Sequence, residues 1–218
     1  PFTYYDNNLR STITLLEFVE RHSIAQLVFS SSCTVYGEPA QLPVSETAPR
    51  QEAVSPYGNT KRIGEDLIYD FLKQDSISQR PGKPAMTILR YFNPVGAHTS
   101  GLIGEIPEAI PNFLVPYVLK AASGLLRELT VFGDDYDTPD GTAIRDYIHV
   151  MDLAEAHVKA LAFAERQESK EGPEVFNIGT GSGSTVLEVI QAFEHATGVK
   201  VPYKIGARRP GDISASYA

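Results

Sequence analysis

The sequence is poor in cysteine and histidine, and this shortage limits the chemistry it can support. Cys33 is the single cysteine among 218 residues, so an intramolecular disulfide is impossible and a cysteine-based metal site is nearly excluded. The five histidines are not clustered at the spacing of metal ligands. We therefore expect no metal site in this chain.

Basic residues and long apolar runs are also scarce. Lys and Arg total 19 against 27 Asp and Glu, which gives a net charge of −8. Such a chain has no general attraction to nucleic acids or anionic membranes, so an anionic ligand must be held by individual arginines. No stretch reaches the ~18 apolar residues of a membrane helix, and the first residues do not resemble a signal peptide. We expect a cytoplasmic protein with no nucleic-acid or membrane partner.

Helical and strand patterns alternate along the first part of the chain. Apolar residues recur at helical spacing over 6–20 and 56–73, and apolar runs of strand length occur at 26–30 and 86–92. This alternation predicts an α/β fold, a Rossmann-like parallel sheet flanked by helices. Further helices are expected at 112–123, 151–164 and 184–197, and a further strand at 175–178. From Asn93 the sequence becomes rich in glycine and proline, which indicates a substrate loop or a domain junction.

The segment SPYGNTK places Tyr57 and Lys61 four residues apart at the start of the second helix. An ammonium on the same helical face stabilises a phenolate, so this pair could transfer a proton. Tyr69 and Lys73 repeat the spacing, and spacing alone does not choose between the pairs. Serines end the preceding strand, where open α/β sheets bind ligands. The segment is therefore either a Ser/Tyr/Lys site or ordinary capping serines and a solvated tyrosine.

Six blocks spread over nearly the whole chain carry a family resemblance. They are SSSCTVYGEP (30–39), SPYGNTK (55–61), LRYFNPVGAH (89–98), GTAIRDYIHVMDLAEAH (141–157), FNIGTG (176–181) and RRPGD (208–212). In this order they resemble the extended short-chain dehydrogenase/reductase family, and among its members the nucleotide-sugar epimerases. The resemblance implies an NAD cofactor and interconversion of UDP-galactose and UDP-glucose through oxidation and re-reduction at C4.

The resemblance also implies roles for individual residues. Tyr57 matches the catalytic acid/base, Lys61 the residue that holds the nicotinamide ribose and lowers the tyrosine pKa, and Ser32 the partner of the reacting hydroxyl. Further positions match cofactor contacts at Asn7, Tyr91 and Phe92. Positions that match contacts to the UDP-sugar are Asn93, Asn112, Phe132, Arg145, Arg209, Asp212 and Ser216. Guanidinium groups suit a diphosphate because their paired donors match phosphate oxygens.

The family pattern further predicts the domain organisation. Residues 1–96 match the C-terminal part of an NAD-binding Rossmann domain, and 97–218 match mainly a smaller α/β UDP-sugar-binding domain, with about 146–180 packing back on the first. The chain begins where the family is already inside its first domain, so the glycine-rich cofactor turn and the N-terminal half of the sheet are expected to be absent. A homodimer through the helices at 6–20 and 56–73 is also expected.

Two other functions compete with epimerisation. Nucleotide-sugar dehydratases and decarboxylases of the same family commonly need a carboxylate after the strand-end serine, where this chain has Cys33 and Thr34. A non-catalytic sugar-nucleotide-binding module is the other alternative, and the complete Ser/Tyr/Lys set argues against it. In the family, the position of Ser216 limits the space around the sugar's C2 substituent. Its small side chain predicts that N-acetylated UDP-hexoses are also accepted.

Several chemical-looking features are interpreted as structural. FNIGTGSGST lacks the third glycine of a dinucleotide loop, because Ser184 stands there, and is predicted to be a tight turn with Ser184 as helix N-cap. The acids at 134, 135, 137 and 140 do not follow calcium-loop spacing. Cys33 is interpreted as a packed small side chain, and His149 and His157 as structural.

Overall fold

The computed structural model describes residues 1–74, 77, 82–105, 113–166 and 172–218. These residues form two compact units, 1–92 with 152–178 and 93–151 with 179–218. The helices are α1 Phe2–His22, α2 Pro56–Lys73, α3 Leu114–Ala122, α4 Val150–Glu165 and α5 Val186–Thr197. The strands are β1 Gln26–Ser32, β2 Ala85–Tyr91, β3 Asn93–Val95, β4 Leu129–Phe132, β5 Ile144–Arg145, β6 Tyr147–His149, β7 Glu174–Ile178, β8 Ser184–Thr185, β9 Tyr203–Gly206 and β10 Ala215–Ser216. No helix among the described residues is both long enough and apolar enough to span a membrane.

The first unit contains a parallel sheet in the order β1-β2-β7. The register pairs Ser32 with Tyr91 and Tyr91 with Ile178, so the three strands end together at one edge. Buried side chains of α1, α2 and β2, together with Ile77, form its core, which contains Leu16, Val19, Ile68, Phe71, Leu72, Ile77, Met86 and Ile88. The predicted α/β fold with a parallel sheet and flanking helices is confirmed.

Helix α2 begins and ends where the sequence predicts. The Ser55 hydroxyl accepts the Gly58 N–H at 3.1 Å, and Pro56 occupies the first helical position. About two turns after the helix start, a Cβ added to Gly64 would lie 2.6 Å from Cζ of Phe29. The missing side chain therefore lets α2 pack closely on β1, which fixes the start of the helix beside the end of that strand.

The second unit is built from shorter strands. Parallel pairs join β3 to β6, β4 to β9 and β10 to β5, whereas β8 runs antiparallel to β5. Helices α3 and α5 pack on β4, and the buried residues are Val118, Ala121, Leu129, Val131, Ile190 and Val201. The sequence analysis did not predict these strands, because segments of two to four residues are too short to show an alternating pattern.

The start of α5 corrects one prediction. Thr185, and not Ser184, is the N-cap: its hydroxyl accepts the Glu188 N–H at 3.1 Å, and Glu188 accepts the Thr185 N–H at 2.8 Å. This reciprocal capping box needs a glutamate three residues after the cap, and only Thr185 has one. Helix α1 is also longer at both ends than the predicted 6–20.

Candidate active site

The structure brings Ser32, Tyr57 and Lys61 together in the first unit. Ser32 is the last residue of β1 and is only 5% exposed. Tyr57 lies in the first turn of α2 beside the Ser32 hydroxyl, which acts as its hydrogen-bonding neighbour. The Lys61 Nζ lies 5.6 Å from the centroid of the Tyr57 ring. A strand end and a helix start thus place a hydroxyl, a phenol and an ammonium at one edge of the sheet.

With protein groups alone around it, the buried Tyr57 phenol is a weaker acid than a solvent-exposed tyrosine. Burial raises the pKa of Tyr57 to about 12, the nearby Tyr91 adds to the rise, and the hydrogen bond with Ser32 lowers it in part. Burial also lowers the pKa of Lys61. The lowering of the tyrosine pKa by Lys61 that the family resemblance implies is not among the main effects on the Tyr57 phenol. Tyr57 is therefore a neutral phenol at pH 7.

The Lys61 ammonium has N–H groups that are available to hydrogen-bond with a ligand. An ammonium carries three N–H groups, and among the described residues Nζ hydrogen-bonds to the Ser30 carbonyl alone. Nζ also lies 5.5 Å from the centroid of the Phe29 ring. The remaining donors suit a pair of neighbouring hydroxyls such as a ribose diol. The donor set at Lys61 therefore fits the nicotinamide-ribose end of a dinucleotide.

The other predicted cofactor residues occupy different environments. Tyr91 is half-buried at the end of β2, in register with Ser32. Phe92 is 4% exposed, and its N–H donates to the Ile178 carbonyl at 3.1 Å. Asn7 lies exposed on α1, where its carbonyl accepts the Ser11 hydroxyl at 2.6 Å. Tyr91 is thus the member that shares the strand-end edge with the Ser/Tyr/Lys group.

The second unit contains a cavity of about 240 Å³ that gathers most of the predicted UDP-sugar residues. Five of the seven line it: Asn93, Phe132, Arg145, Arg209 and Asp212. Asn112 lies outside the described residues. Ser216 is not part of the lining but pairs with Arg145 where β10 meets β5. Tertiary structure therefore assembles a cavity from residues more than a hundred positions apart.

One carboxylate holds both arginines of this cavity. Asp212 accepts from Arg145 at 2.6 Å through Oδ1 and from Arg209 at 2.9 Å through Oδ2. Arg209 also lies 5.1 Å over the ring of Phe132, which is 39% exposed. Two guanidinium groups against one carboxylate leave a positive charge beside an open aromatic face. This combination suits a ligand with an anionic group and a planar base.

Tyr147 also lines the cavity, and the sequence analysis did not select it. Burial raises the pKa of Tyr147 to about 12, partly offset by Arg145 and Arg209. The sequence could have pointed to Tyr147 because it lies two residues after Arg145, and alternate residues of an extended chain point to the same side. That signal could be used only if the short strands β5 and β6 had been predicted.

The FNIGTG turn does not bind phosphate with its own amides. Asp146 is fully buried and accepts the N–H groups of Thr180 and Gly181 at 2.8 and 3.2 Å. A Cβ added to Gly179 would lie 2.4 Å from the Asp146 Oδ2. An internal carboxylate thus accepts the amide hydrogens that an anion would need, which argues against a dinucleotide loop in this glycine-rich segment.

The second tyrosine–lysine pair and the acidic loop have structural contacts. Tyr69 packs against the first unit's core, and Lys73 lies 3.9 Å from Asp70 on the exposed helix surface. Asp140 accepts from Thr142 and Thr185. In the described ranges, no group of three or more His, Cys, Asp or Glu side chains could hold a metal ion. These residues therefore serve the fold.

The parallel sheet with its flanking helices belongs to a Rossmann-type nucleotide-binding domain. Residues 1–179 match the NAD dependent epimerase/dehydratase family. The chain belongs to this family.

Curated and solved relatives agree with this assignment. The UDP-glucose 4-epimerase of Neisseria meningitidis serogroup B is 48% identical over the whole chain, which spans 62% of that protein. The structure of UDP-glucose 4-epimerase from Bifidobacterium longum in complex with NAD+ and UDP is 51% identical, with a TM-score of 0.90 over the whole chain and 62% of its own. The enzyme from Stenotrophomonas maltophila, with bound NAD and formylated UDP-arabinopyranose, is 49% identical at a TM-score of 0.92, with the same coverage. The chain thus spans about three fifths of the length of these relatives.

Proposed function

We propose that the protein that carries this chain interconverts UDP-galactose and UDP-glucose with NAD as cofactor. The observation that carries the proposal is the grouping of Ser32, Tyr57 and Lys61 at the end of β1 and the start of α2. The relatives that are 48–51% identical and named UDP-glucose 4-epimerase support the same substrate. The cavity of the second unit offers a positive charge and an aromatic face for a nucleotide diphosphate.

Lys61 would hold the cofactor through its ribose hydroxyls. When bound, NAD would supply the hydride acceptor and donor for C4 of the sugar and a positive charge near the phenol. The protein's part is to move one proton in each direction. Tyr57 takes the proton of the C4 hydroxyl as the hydride leaves, and it gives that proton back when the 4-keto sugar is reduced.

Ser32 would orient the reacting hydroxyl. Its side chain hydrogen-bonds with the Tyr57 phenol and also accepts the Thr34 N–H at 3.3 Å, so its position is set by the local backbone. In the protein alone the pKa of Tyr57 is about 12, so proton abstraction near pH 7 needs additional positive charge at the site.

The second unit would bind the UDP moiety. Arg145 and Arg209 would contact the diphosphate, and the exposed face of Phe132 would stack on the uracil ring. Asp212 would keep both guanidinium groups in place when no ligand is bound. We further propose that the small side chain of Ser216 allows UDP-N-acetylglucosamine and UDP-N-acetylgalactosamine as substrates.

The cellular location, the metabolic role and the oligomeric state are proposed from the same family membership. We expect a cytoplasmic enzyme of galactose metabolism. A homodimer through α1 and α2 is expected, since exposed apolar side chains of α1 such as Ile13 and Phe18 are available for a subunit contact.

The test is conversion of UDP-galactose by the full-length protein and its Tyr57→Phe variant. Removing the phenol hydroxyl should lower kcat about 10²- to 10⁴-fold, which is the usual contribution of a general acid/base. Tyr69→Phe is the matched control, because it stands in the same helix at the same distance from a lysine, and it should keep the parent rate. A Tyr57→Phe variant with full activity would refute the catalytic assignment, and an inactive parent would refute the epimerase itself.

A further inference from the structure

Ser30 connects the catalytic lysine to a histidine that the proposed function does not use. Its carbonyl accepts from Lys61 Nζ at 2.7 Å, and its hydroxyl lies 3.1 Å from the Nε2 of His157. Ser30 lies in β1 two residues before Ser32, and His157 lies in α4. The Ser30 carbonyl thus contacts Lys61 of the candidate site, and the Ser30 hydroxyl contacts His157 of helix α4.

The contacts of His157 determine its tautomer. The Nδ1 atom lies 2.8 Å from the carbonyl oxygen of Leu153, one turn earlier in α4. A carbonyl oxygen only accepts hydrogen bonds, so Nδ1 carries the proton. With Nδ1 as the donor, Nε2 is left as the acceptor, and the Ser30 hydroxyl donates to it. The helix itself thus orients the imidazole toward β1.

Ser30 also lies beside Tyr91. Ser30 is a hydrogen-bonding neighbour of the Tyr91 phenol, and the Tyr91 ring centroid lies 6.3 Å from that of His157. Tyr91 is in register with Ser32 and acts electrostatically on Tyr57. A chain of contacts therefore runs from His157 through Ser30 to the side chains around Tyr57.

Helix α4 supports β1 from the side opposite α2. Successive residues of a strand point to opposite faces of the sheet. Ser31 donates to Glu65 of α2 at 2.5 Å, whereas its neighbour Ser30 contacts His157 of α4. The end of β1 is thus held on both faces by hydrogen bonds. On the α4 face the contact comes from His157.

We propose that His157 is a positioning residue for the Tyr57–Lys61 site, acting as an acceptor that fixes Ser30 and, through it, Lys61 and Tyr91. The inference rests on the proposed epimerase function. It assigns His157 no contact with substrate or cofactor. The role requires an acceptor at the place of Nε2 and not a histidine as such, which makes it distinguishable from simple packing.

Two variants of the full-length protein separate positioning from packing. His157→Leu removes the acceptor and should lower kcat for UDP-galactose about 10- to 100-fold with KM little changed, because small displacements of reacting groups have effects of this size. His157→Gln offers an amide oxygen to Ser30 and should stay within about 3-fold of the parent, the rescue expected of a retained acceptor. Equal losses in both variants, or no loss in His157→Leu, would overturn the proposal.

A measurement on the imidazole itself is independent of activity. Side-chain ¹⁵N NMR of the full-length protein, with the His157 signals identified by their loss in His157→Gln, should show a protonated Nδ1 and an unprotonated Nε2 at neutral pH. A protonated Nε2 would overturn the proposal even if His157→Leu failed to fold. If the parent does not convert UDP-galactose, the proposed function fails, while the tautomer measurement still decides whether Nε2 of His157 is the acceptor for Ser30.

Discussion

At the scale of one residue, the small side chain of Ser216 leads to a prediction about substrate specificity. It is 8% exposed and lies beside Arg145 where β10 pairs with β5. Ser216→Tyr should abolish conversion of UDP-N-acetylglucosamine while UDP-galactose is still converted, because a large ring would fill the space that the acetamido group needs. Initial rates with both substrates, measured in parallel, test this.

Ser216→Ala is the matched control for that experiment, and it should leave both activities close to those of the parent. A parent protein that converts UDP-galactose but not UDP-N-acetylglucosamine would contradict the prediction. So would a tyrosine variant that retains both activities.

The two tyrosine–lysine pairs of α2 show what spacing can and cannot predict. Tyr57 and Tyr69 both stand four residues before a lysine. In the fold, Tyr57 faces the end of β1 and the Ser32 hydroxyl, whereas Tyr69 packs on the core beside Arg50, whose guanidinium lies 5.6 Å from its ring. The spacing predicts that each tyrosine and its lysine share one face of α2. It does not predict which other helices and strands contact that face.

At the scale of elements, a buried ion pair ties α2 to β2. Glu65 is fully buried and Arg90 is 3% exposed, and they are joined by hydrogen bonds of 2.6 and 2.9 Å. Arg90→Met should destabilise the protein by about 3–5 kcal/mol, because the Glu65 carboxylate would remain buried without its main partner. Denaturant unfolding of the full-length variant measures this loss.

Lys73→Met provides the comparison for that variant. Lys73 lies 3.9 Å from Asp70 at the exposed end of the same helix, so its loss should change stability by less than about 1 kcal/mol. Similar losses in the two variants would mean that burial does not control the strength of these pairs. The double variant Glu65→Leu with Arg90→Met should recover part of the stability, since no unpaired charge remains.

Element boundaries were predictable where a local signal exists. Ser55 and Pro56 mark the start of α2 in the sequence and in the structure. The start of α5 was misassigned by one residue, because Thr185 rather than Ser184 has the glutamate that completes a capping box. The strands of the second unit were missed, because segments of two to four residues obtain their hydrogen bonds from partners far away in the chain.

At the scale of the whole molecule, the prediction concerns the association of two subunits into the proposed homodimer. Phe18 of α1 is 49% exposed, and the proposed homodimer uses α1 and α2. Phe18→Glu in the full-length protein should shift the dimer toward monomers, because a carboxylate would have to be buried in an apolar contact. Light scattering at several protein concentrations measures the mass.

Val158→Glu is the control on the other side of the first unit's sheet. Val158 lies on α4 and is 66% exposed, and its replacement should leave the mass unchanged. A parent protein that is monomeric at every concentration would exclude the dimer. Equal effects of both substitutions would exclude α1 as the specific contact.

The sequence by itself determined the alternating helices and strands of the first unit and the start of α2, whereas the candidate residues of both sites came from the family resemblance. These features depend on periodicity, capping residues and motifs within about twenty positions, which a single chain displays directly. Only the tertiary structure decided which tyrosine faces Ser32, that Asp146 occupies the FNIGTG turn, and that Asp212 joins two arginines. Except for the neighbouring Arg209 and Asp212, those outcomes depend on contacts between residues far apart in the chain, 34 positions for Asp146 and Thr180 and 67 for Arg145 and Asp212. The geometry of such contacts is set by the packing of sheets and helices and not by any local pattern.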